Sequence, residues 1–138
     1  MVLHDPIPDL KGSICTALVR QEYWYQGELD EQAHILYLQV DNIQWHRFLI
    51  DQPVLFWKVV NSPDEWNTKP NDEYHYPQYE IAASSGLYGR VIEGMEISDE
   101  PTNSRLQIRF SGGARLVLQS EGYHSTLAIV TDAETGAV

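Results

Sequence analysis

Short segments rich in β-branched and aromatic residues recur along the whole chain, separated by clusters of glycine, proline, asparagine, aspartate and serine. This alternation predicts extended strands joined by tight turns. No long stretch shows the periodicity of an amphipathic helix, so we expect a mainly β protein with little helix. The predicted strands are 14–25, 33–40, 43–50, 54–60, 90–98, 105–110, 114–120 and 126–130.

The first four predicted strands match the last four in order, which indicates an internal repeat. An L-x-G motif opens each set, at 10–12 and at 87–89, with an offset of 77 residues. The hairpin turns 41–42 and 112–113 correspond at an offset of 71, and the closing segments VLFW and TLAI at an offset of 72. A six-residue difference between two polar acidic loops, GELDEQ and SDEPTN, accounts for the change of offset.

The turn of the second predicted hairpin indicates which residues face each other. A three-residue loop, SGG, would place Ile108 opposite Leu116 and Leu106 opposite Leu118. This register gives the hairpin one apolar face, whereas a slip of one residue would send every inward side chain outward.

The first predicted hairpin has an Asp-Asn turn, for which we expect a two-residue loop. That loop would place Leu38 opposite Trp45 and Tyr37 opposite His46, with apolar surface on both faces of the hairpin. Strands of this kind are buried on both sides.

The predicted fold is two four-stranded antiparallel meanders related by a pseudo-two-fold repeat. Neither meander can cover its own sheet, so the two should pack as a sandwich or close into a barrel. The chain of 138 residues has the size of one domain. We therefore expect a single domain over 1–138, with repeat halves at about 10–60 and 87–130 and a connector at 61–86.

Acidic side chains outnumber basic ones by 20 to nine, which gives a formal net charge of -11. Because this excess repels phosphate backbones and anionic lipid headgroups, we expect neither nucleic acid nor a membrane as partner. The start, MVLHDPIPDL, lacks the basic and apolar regions of a secretory signal. Cys15 is the only cysteine and lies in an apolar segment, so we expect a core residue in a cytoplasmic protein.

The chain shows no residue pattern typical of catalysis. Its five histidines lack the spacing of zinc ligands, and its carboxylate pairs lie in predicted loops, where such groups titrate normally. A phosphate-binding loop, a dinucleotide fingerprint and a nucleophile elbow are all missing from the sequence. Asp72 with His75 is the one acid-base cluster that would suit an enzyme. We therefore expect no enzymatic activity, no cofactor and no metal.

The connector contains the stretch NSPDEWNTKPNDEYHYPQYE at 61–80, in which carboxylates alternate with large aromatic residues. A long irregular segment inside a compact domain is uncommon unless it is functional or mobile, and mobility alone would favour glycine and serine. Aromatic side chains supply rigid contact area, and carboxylates attract cations. The predicted contact patch consists of Asp64, Glu65, Trp66, Asp72, Glu73, Tyr74 and Tyr76.

These features predict a small acidic protein-binding module that masks or inhibits a basic protein, as immunity proteins and inhibitors do. The negative charge would speed encounter with the partner, and the aromatic side chains would lengthen residence. In a second interpretation, the connector is a lid that folds back over an open end of the sheet, and its carboxylates are only solvated.

Two other functional hypotheses use different residues. A small-molecule carrier would have an aromatic-lined barrel cavity, although the same rings would also suit a filled core. A homo-oligomer would pair tyrosines or exposed strand edges between copies. The residues predicted to line the cavity are Tyr23, Trp24, Tyr25, Trp45 and Trp57.

Overall fold

The computed structural model describes residues 2–4, 9–51, 54–64, 73–99, 103–121 and 124–131. It has 69% strand and 3% helix, which confirms the predicted class. Within the described residues, no helix has the length and apolar character needed to cross a membrane. The strands are β1 (Val2–His4), β2 (Cys15–Tyr25), β3 (Glu28–Val40), β4 (Gln44–Asp51), β5 (Val54–Val60), β6 (Tyr74–His75), β7 (Gln78–Glu80), β8 (Ile92–Asp99), β9 (Ser104–Phe110), β10 (Arg115–Glu121) and β11 (His124–Val130).

The first sheet has seven strands in the order β1, β5, β4, β3, β2 and β6, with β7 also paired to β2. Neighbouring strands are antiparallel except β1 and β5, which are parallel. The predicted meander from β2 to β5 is therefore present. Strands β6 and β7 lie in the connector, which we expected to be irregular, because the free edge of β2 offers backbone groups for pairing.

The second sheet has four antiparallel strands in the order β11, β10, β9 and β8, which is the second predicted meander. Neither sheet closes on itself in the part of the chain that the structure describes. Both sheets contribute to one hydrophobic core, with Leu38 and Phe48 from the first sheet and Ile108 and Leu116 from the second. All four side chains are fully shielded from solvent, so the core lies between the sheets.

Two equivalent turns precede β2 and β8. Leu10 and Leu87 are buried, and the glycine two residues after each has a positive φ angle, 91° at Gly12 and 82° at Gly89. In both turns the backbone N–H three residues after the leucine donates to the leucine carbonyl, at 3.0 and 3.1 Å. The L-x-G motif is therefore the sequence of a specific turn, in which glycine accepts the left-handed conformation.

The two turns join the sheets by reciprocal hydrogen bonds. The Gly12 N–H donates to the Ile92 carbonyl and the Gly89 N–H to the Cys15 carbonyl, both at 2.8 Å. Cys15 and Ile92 donate in return, at 2.9 and 2.8 Å, to carbonyls beside the other turn. Each turn thus completes the backbone hydrogen bonding of the strand that follows the other turn.

The second hairpin has the predicted register. Ile108 lies opposite Leu116 and Leu106 opposite Leu118, across the three-residue loop 111–113. The two glycines of the loop have φ angles of 77° and 83°, which residues with side chains rarely adopt. The glycine pair therefore determined this register.

The predicted register of the first hairpin was wrong by one residue. Leu38 lies opposite His46 and not Trp45, and Tyr37 does not face His46. The loop spans the three residues 41–43, because two hydrogen bonds of 2.9 Å tie it to the start of β2. His46 therefore points into the core.

With this register the later strands of the two meanders align at a single offset. Ile108 and Leu116 stand 70 positions after Leu38 and His46, which pair in the same way. The same offset relates β5 to β11, so the expected offsets of 71 and 72 were wrong. Because the opening turns are still 77 residues apart, the hairpin β2–β3 exceeds the hairpin β8–β9 by seven residues instead of six.

The surplus residues extend β2 and β3 where we expected an acidic loop. β3 begins at Glu28, and the turn is reduced to Gln26 and Gly27, with φ angles of 49° and 80°. Two consecutive left-handed residues match the twist of an antiparallel ribbon, so they allow the strands to continue up to the turn.

His46 is a polar residue in an otherwise apolar row of the core. It is fully buried, and its Nδ1 accepts a hydrogen bond of 3.0 Å from Trp57 Nε1. Its Nε2 has no hydrogen-bond partner within the described part of the protein. Burial lowers the pKa of His46, because the imidazolium would lose its hydration.

We expect His46 to make the protein less stable in mild acid. As the pH falls below 6.5, the ordinary pKa of histidine, the unfolded chain binds a proton that the folded chain does not, so the free energy of unfolding decreases. The substitution His46→Gln should remove most of this decrease, since an amide can accept from Trp57 but does not titrate. Urea unfolding above and below pH 6.5 measures the effect. The control His124→Gln, at an exposed position, should keep the wild-type pH dependence, and the same dependence in His46→Gln would contradict the assignment.

Candidate functional site

The seven-stranded sheet has a second face, turned away from the core, which we call the outer face. Val19, Tyr37, Arg47 and Lys58 form one row across it, each directly opposite the next. Tyr37 is only 1% exposed although it lies outside the main core. Part of the outer face is therefore covered.

The described residues of the connector provide this cover. The backbone N–H of Asp64 donates to Tyr37 Oη at 3.3 Å, and Gln78 Nε2 donates to the Asp64 carbonyl at 2.6 Å. Gln21, which is 3% exposed, donates from Nε2 to the Tyr76 carbonyl at 3.2 Å. These parts of the connector pack against the sheet, as the lid interpretation expects.

Pairing of β6 with β2 brings tyrosines of the connector beside tyrosines of the first meander. Each strand contributes a Tyr-x-Tyr triplet, and alternation along a strand places both rings of a triplet on one face. The ring centroids follow one another at 5.6 Å (Tyr25 to Tyr74), 6.3 Å (Tyr74 to Tyr23) and 5.0 Å (Tyr23 to Tyr76). His34 of β3 continues the row, 5.6 Å from Tyr76. We call these five residues the aromatic ladder.

The ladder presents ring surface to solvent. Tyr25 is 39% exposed, and the other four rings are half-buried. Tyr23 is the central ring, with interplanar angles of 21° and 20° to Tyr74 and Tyr76. Burial raises the pKa of Tyr23, then Tyr76 and Tyr74 raise it further, and the Asp30 charge adds to the effect. The Tyr23 phenol is therefore neutral at physiological pH.

Carboxylates border the ladder. Glu31 Oε2 lies 2.7 Å from Nδ1 of His34. Burial and then the Glu31 charge raise the pKa of Tyr76, and the Glu73 charge is the main cause of the raised pKa of Tyr74. The ladder is thus a row of neutral rings in a negative electrostatic field.

Such a surface suits an organic cation, because cations are attracted both to the faces of aromatic rings and to carboxylates. The same sheet contains an internal example: the Arg20 guanidinium lies 5.0 Å from the ring centroid of Tyr79.

Trp24 points to the opposite side of β2 from the ladder. Its Nε1 donates to Glu22 Oε1 at 2.9 Å, and Arg20 donates to the same carboxylate at 2.7 Å. Burial raises the pKa of Glu22, but the hydrogen bonds from Trp24 and Arg20 and the Arg20 charge outweigh it, so the pKa is lowered below its ordinary 4.5. Trp24 therefore belongs to a buried ion-pair cluster.

The five aromatic residues predicted to line one cavity do not lie together. Tyr23 and Tyr25 are in the ladder and Trp24 is on the other side of β2, because neighbouring residues of a strand point to opposite faces. Trp57 is in the core, 4% exposed and 4.9 Å from Phe48 between ring centroids. The last of the five, Trp45, is half-buried on the outer face.

The structure describes part of the predicted contact patch. Tyr74 and Tyr76 are in the ladder, Glu73 borders it and Asp64 contacts Tyr37. The remaining patch residues, Glu65, Trp66 and Asp72, lie outside the described residues. The acid-base hypothesis also involves Asp72, and its other member, His75, faces Trp24.

Cys15 is a core residue, as expected. It is fully buried, and burial followed by the Glu80 charge raises the pKa of its thiol to about 12. The thiolate that a nucleophile or metal ligand requires is therefore not formed at neutral pH. Among the described residues, no group of three or more His, Cys, Asp or Glu side chains could hold a metal ion.

No family model matches the chain, and neither a curated protein nor a solved structure matches it.

Sequence reasoning missed three members of this surface, His34, Glu31 and Asp30. They were assigned to a loop or to a structural role, because the extension of β3 was not foreseen. The signal that was available is the pair of Tyr-x-Tyr triplets, at 23–25 and 74–76, which suggests two strands with tyrosines on one face.

We expect the central rings of the ladder to stabilise each other. A double-mutant cycle of Tyr23→Leu and Tyr76→Leu should give a coupling energy of about 0.5–1.5 kcal/mol in urea unfolding, as is typical of stacked aromatic pairs. The control cycle combines Tyr23→Leu with Tyr88→Leu, a tyrosine that is 61% exposed and outside the ladder. That cycle should be additive, and equal coupling in both would contradict a direct ring contact.

Proposed function

We propose that this protein binds and masks a basic protein through the aromatic ladder and the carboxylates that border it. The observation that carries the proposal is the joining of four tyrosines from β2 and the connector into one half-exposed row beside Glu31, Asp30 and Glu73. A lysine or arginine side chain of the partner would lie on the ring faces, and the carboxylates would pair with neighbouring charges.

The charge balance of the chain supports this function. A net charge of -11 attracts a cationic protein over a distance and raises the association rate, mainly at low ionic strength. Each contact between a cation and an exposed ring contributes about 0.5–1 kcal/mol. Several such contacts along the ladder, with hydrogen bonds from the phenols, would give a specific complex. Blocking of the partner's own basic site would then make the protein an inhibitor.

The position of the ladder in the fold also supports it. We infer that the two meanders are a pseudo-two-fold repeat packed as a sandwich, which the reciprocal turn hydrogen bonds and the common offset of 70 residues favour. The ladder lies on the seven-residue extension of β2–β3 and on the connector, where the two halves differ. Residues that the scaffold does not require are thus available for binding. The partner and this protein would meet in the cytoplasm.

A short arginine-rich peptide provides a defined test. In an NMR titration it should shift the backbone amide signals of the ladder and of the β2–β3 turn. Asp30→Lys should weaken binding about two- to fivefold, because it places a like charge beside the peptide, and Tyr25→Ala about tenfold, because it removes an exposed ring.

The matched controls are Glu93→Lys and Tyr88→Ala. They make the same changes at exposed positions away from the ladder and should leave peptide affinity within about twofold of wild type. Equal losses in Asp30→Lys and Glu93→Lys would mean that only net charge matters, and shifts confined to other surfaces would refute the proposed site.

A further inference from the structure

A small cavity of about 130 Å³ opens on the outer face between the ladder and β4. Its apolar wall is formed by Ile35 and by the rings of Tyr37 and Tyr76. Arg47 and His34 also line it, with Gln21 and with Asp64 from the connector. A mostly apolar hollow with a few polar groups is the usual form of a small-ligand site.

Arg47 is half-buried in this cavity, and within the described residues no hydrogen bond or ion pair involves its guanidinium. By contrast, Arg20 and Arg109 each contact a carboxylate at 2.7 Å. Partly buried arginines are normally paired. A half-buried arginine without an anion is unexpected in a chain with 20 acidic residues and nine basic ones.

Lys58 adds a second positive charge, directly opposite Arg47 in the neighbouring strand. Like charges at directly opposite positions destabilise a sheet. The two side chains therefore create a local positive potential on an otherwise acidic protein, and an anion bound beside Arg47 would relieve their repulsion.

Tyr37 offers a hydrogen-bond donor at the same place. Its hydroxyl oxygen already accepts from the backbone of Asp64, and within the described residues its O–H hydrogen has no acceptor. The side chain is almost fully buried, so the missing acceptor would cost free energy unless a bound group supplied it.

We propose that this cavity binds a small organic carboxylate. The carboxylate would accept hydrogen bonds from Arg47 and Tyr37, and its apolar part would lie against Ile35 and Tyr76. Since a cavity of about 150 Å³ is enough for benzene, the apolar part is limited to roughly one phenyl ring. This site is separate from the protein-binding function, because it uses the positive end of the outer face instead of the ladder.

Sodium benzoate is the probe, and benzamide is its neutral counterpart with the same ring. In an NMR titration, benzoate should give saturable shifts at residues around the cavity in the millimolar range, and benzamide should bind at least about tenfold more weakly, because it carries no charge for Arg47 to pair with. No saturable shift with benzoate, or equal affinity for the two compounds, would overturn the proposal.

Variants of the cavity identify the groups that recognise the anion. Arg47→Gln should weaken benzoate binding at least about tenfold, and Arg47→Lys less, because lysine keeps the charge but cannot form a bidentate pair. Asp64→Asn should tighten binding about twofold, since it removes a negative charge from the rim.

Arg115→Gln is the control, because it removes the same charge from an exposed position on the second sheet. It should bind benzoate as the wild type does, and wild-type affinity in Arg47→Gln would refute the site. The arginine-rich peptide does not test this cavity, so failure of either proposal leaves the other intact.

Discussion

The shared core requires both hairpins to keep their register, because a slip of one residue would turn the buried side chains of a strand to the solvent. Leu38 opposite His46 and Ile108 opposite Leu116 are equivalent pairs of this core. The turns before β2 and β8 connect the sheets around a backbone bridge between residues 14 and 91. The loop of each hairpin is also hydrogen-bonded to this junction. Register and sheet packing are thus determined at one place in the fold.

Once the inner faces are buried against each other, the outer face of the larger sheet remains to be accounted for. Its row of Val19, Tyr37 and Arg47 is too apolar in the middle to be left in water, and the connector packs on it through Asp64 and Gln78. The cover is incomplete. It leaves a row of exposed rings at the edge of β2 and a small cavity beside Arg47. Both proposed binding sites therefore arise from the way in which the connector covers this sheet.

The order and location of most strands could be predicted from the sequence, since alternation and turn residues are local properties. The register of the second hairpin was also predictable, because only glycine readily adopts two consecutive left-handed conformations. The first hairpin was not, since Asp41 binds to Ile14 across 27 positions. The extension of β3 from Glu28 was missed because its charged residues are typical of a loop, although they lie in an exposed ribbon. Of the candidate site, the tyrosines of the connector were identified and their partners on β2 were assigned to another hypothesis.

The amino-acid sequence by itself determined the β class, the two meanders, the negative charge and the burial of Cys15. Each of these follows from residue type or from neighbours a few positions apart. Only the tertiary structure decided that Tyr23 stacks on Tyr76, and that Arg47 lies beside the cavity without a carboxylate among the described residues. These arrangements depend on which strand the connector pairs with, and that choice is made by the packing of the whole sheet.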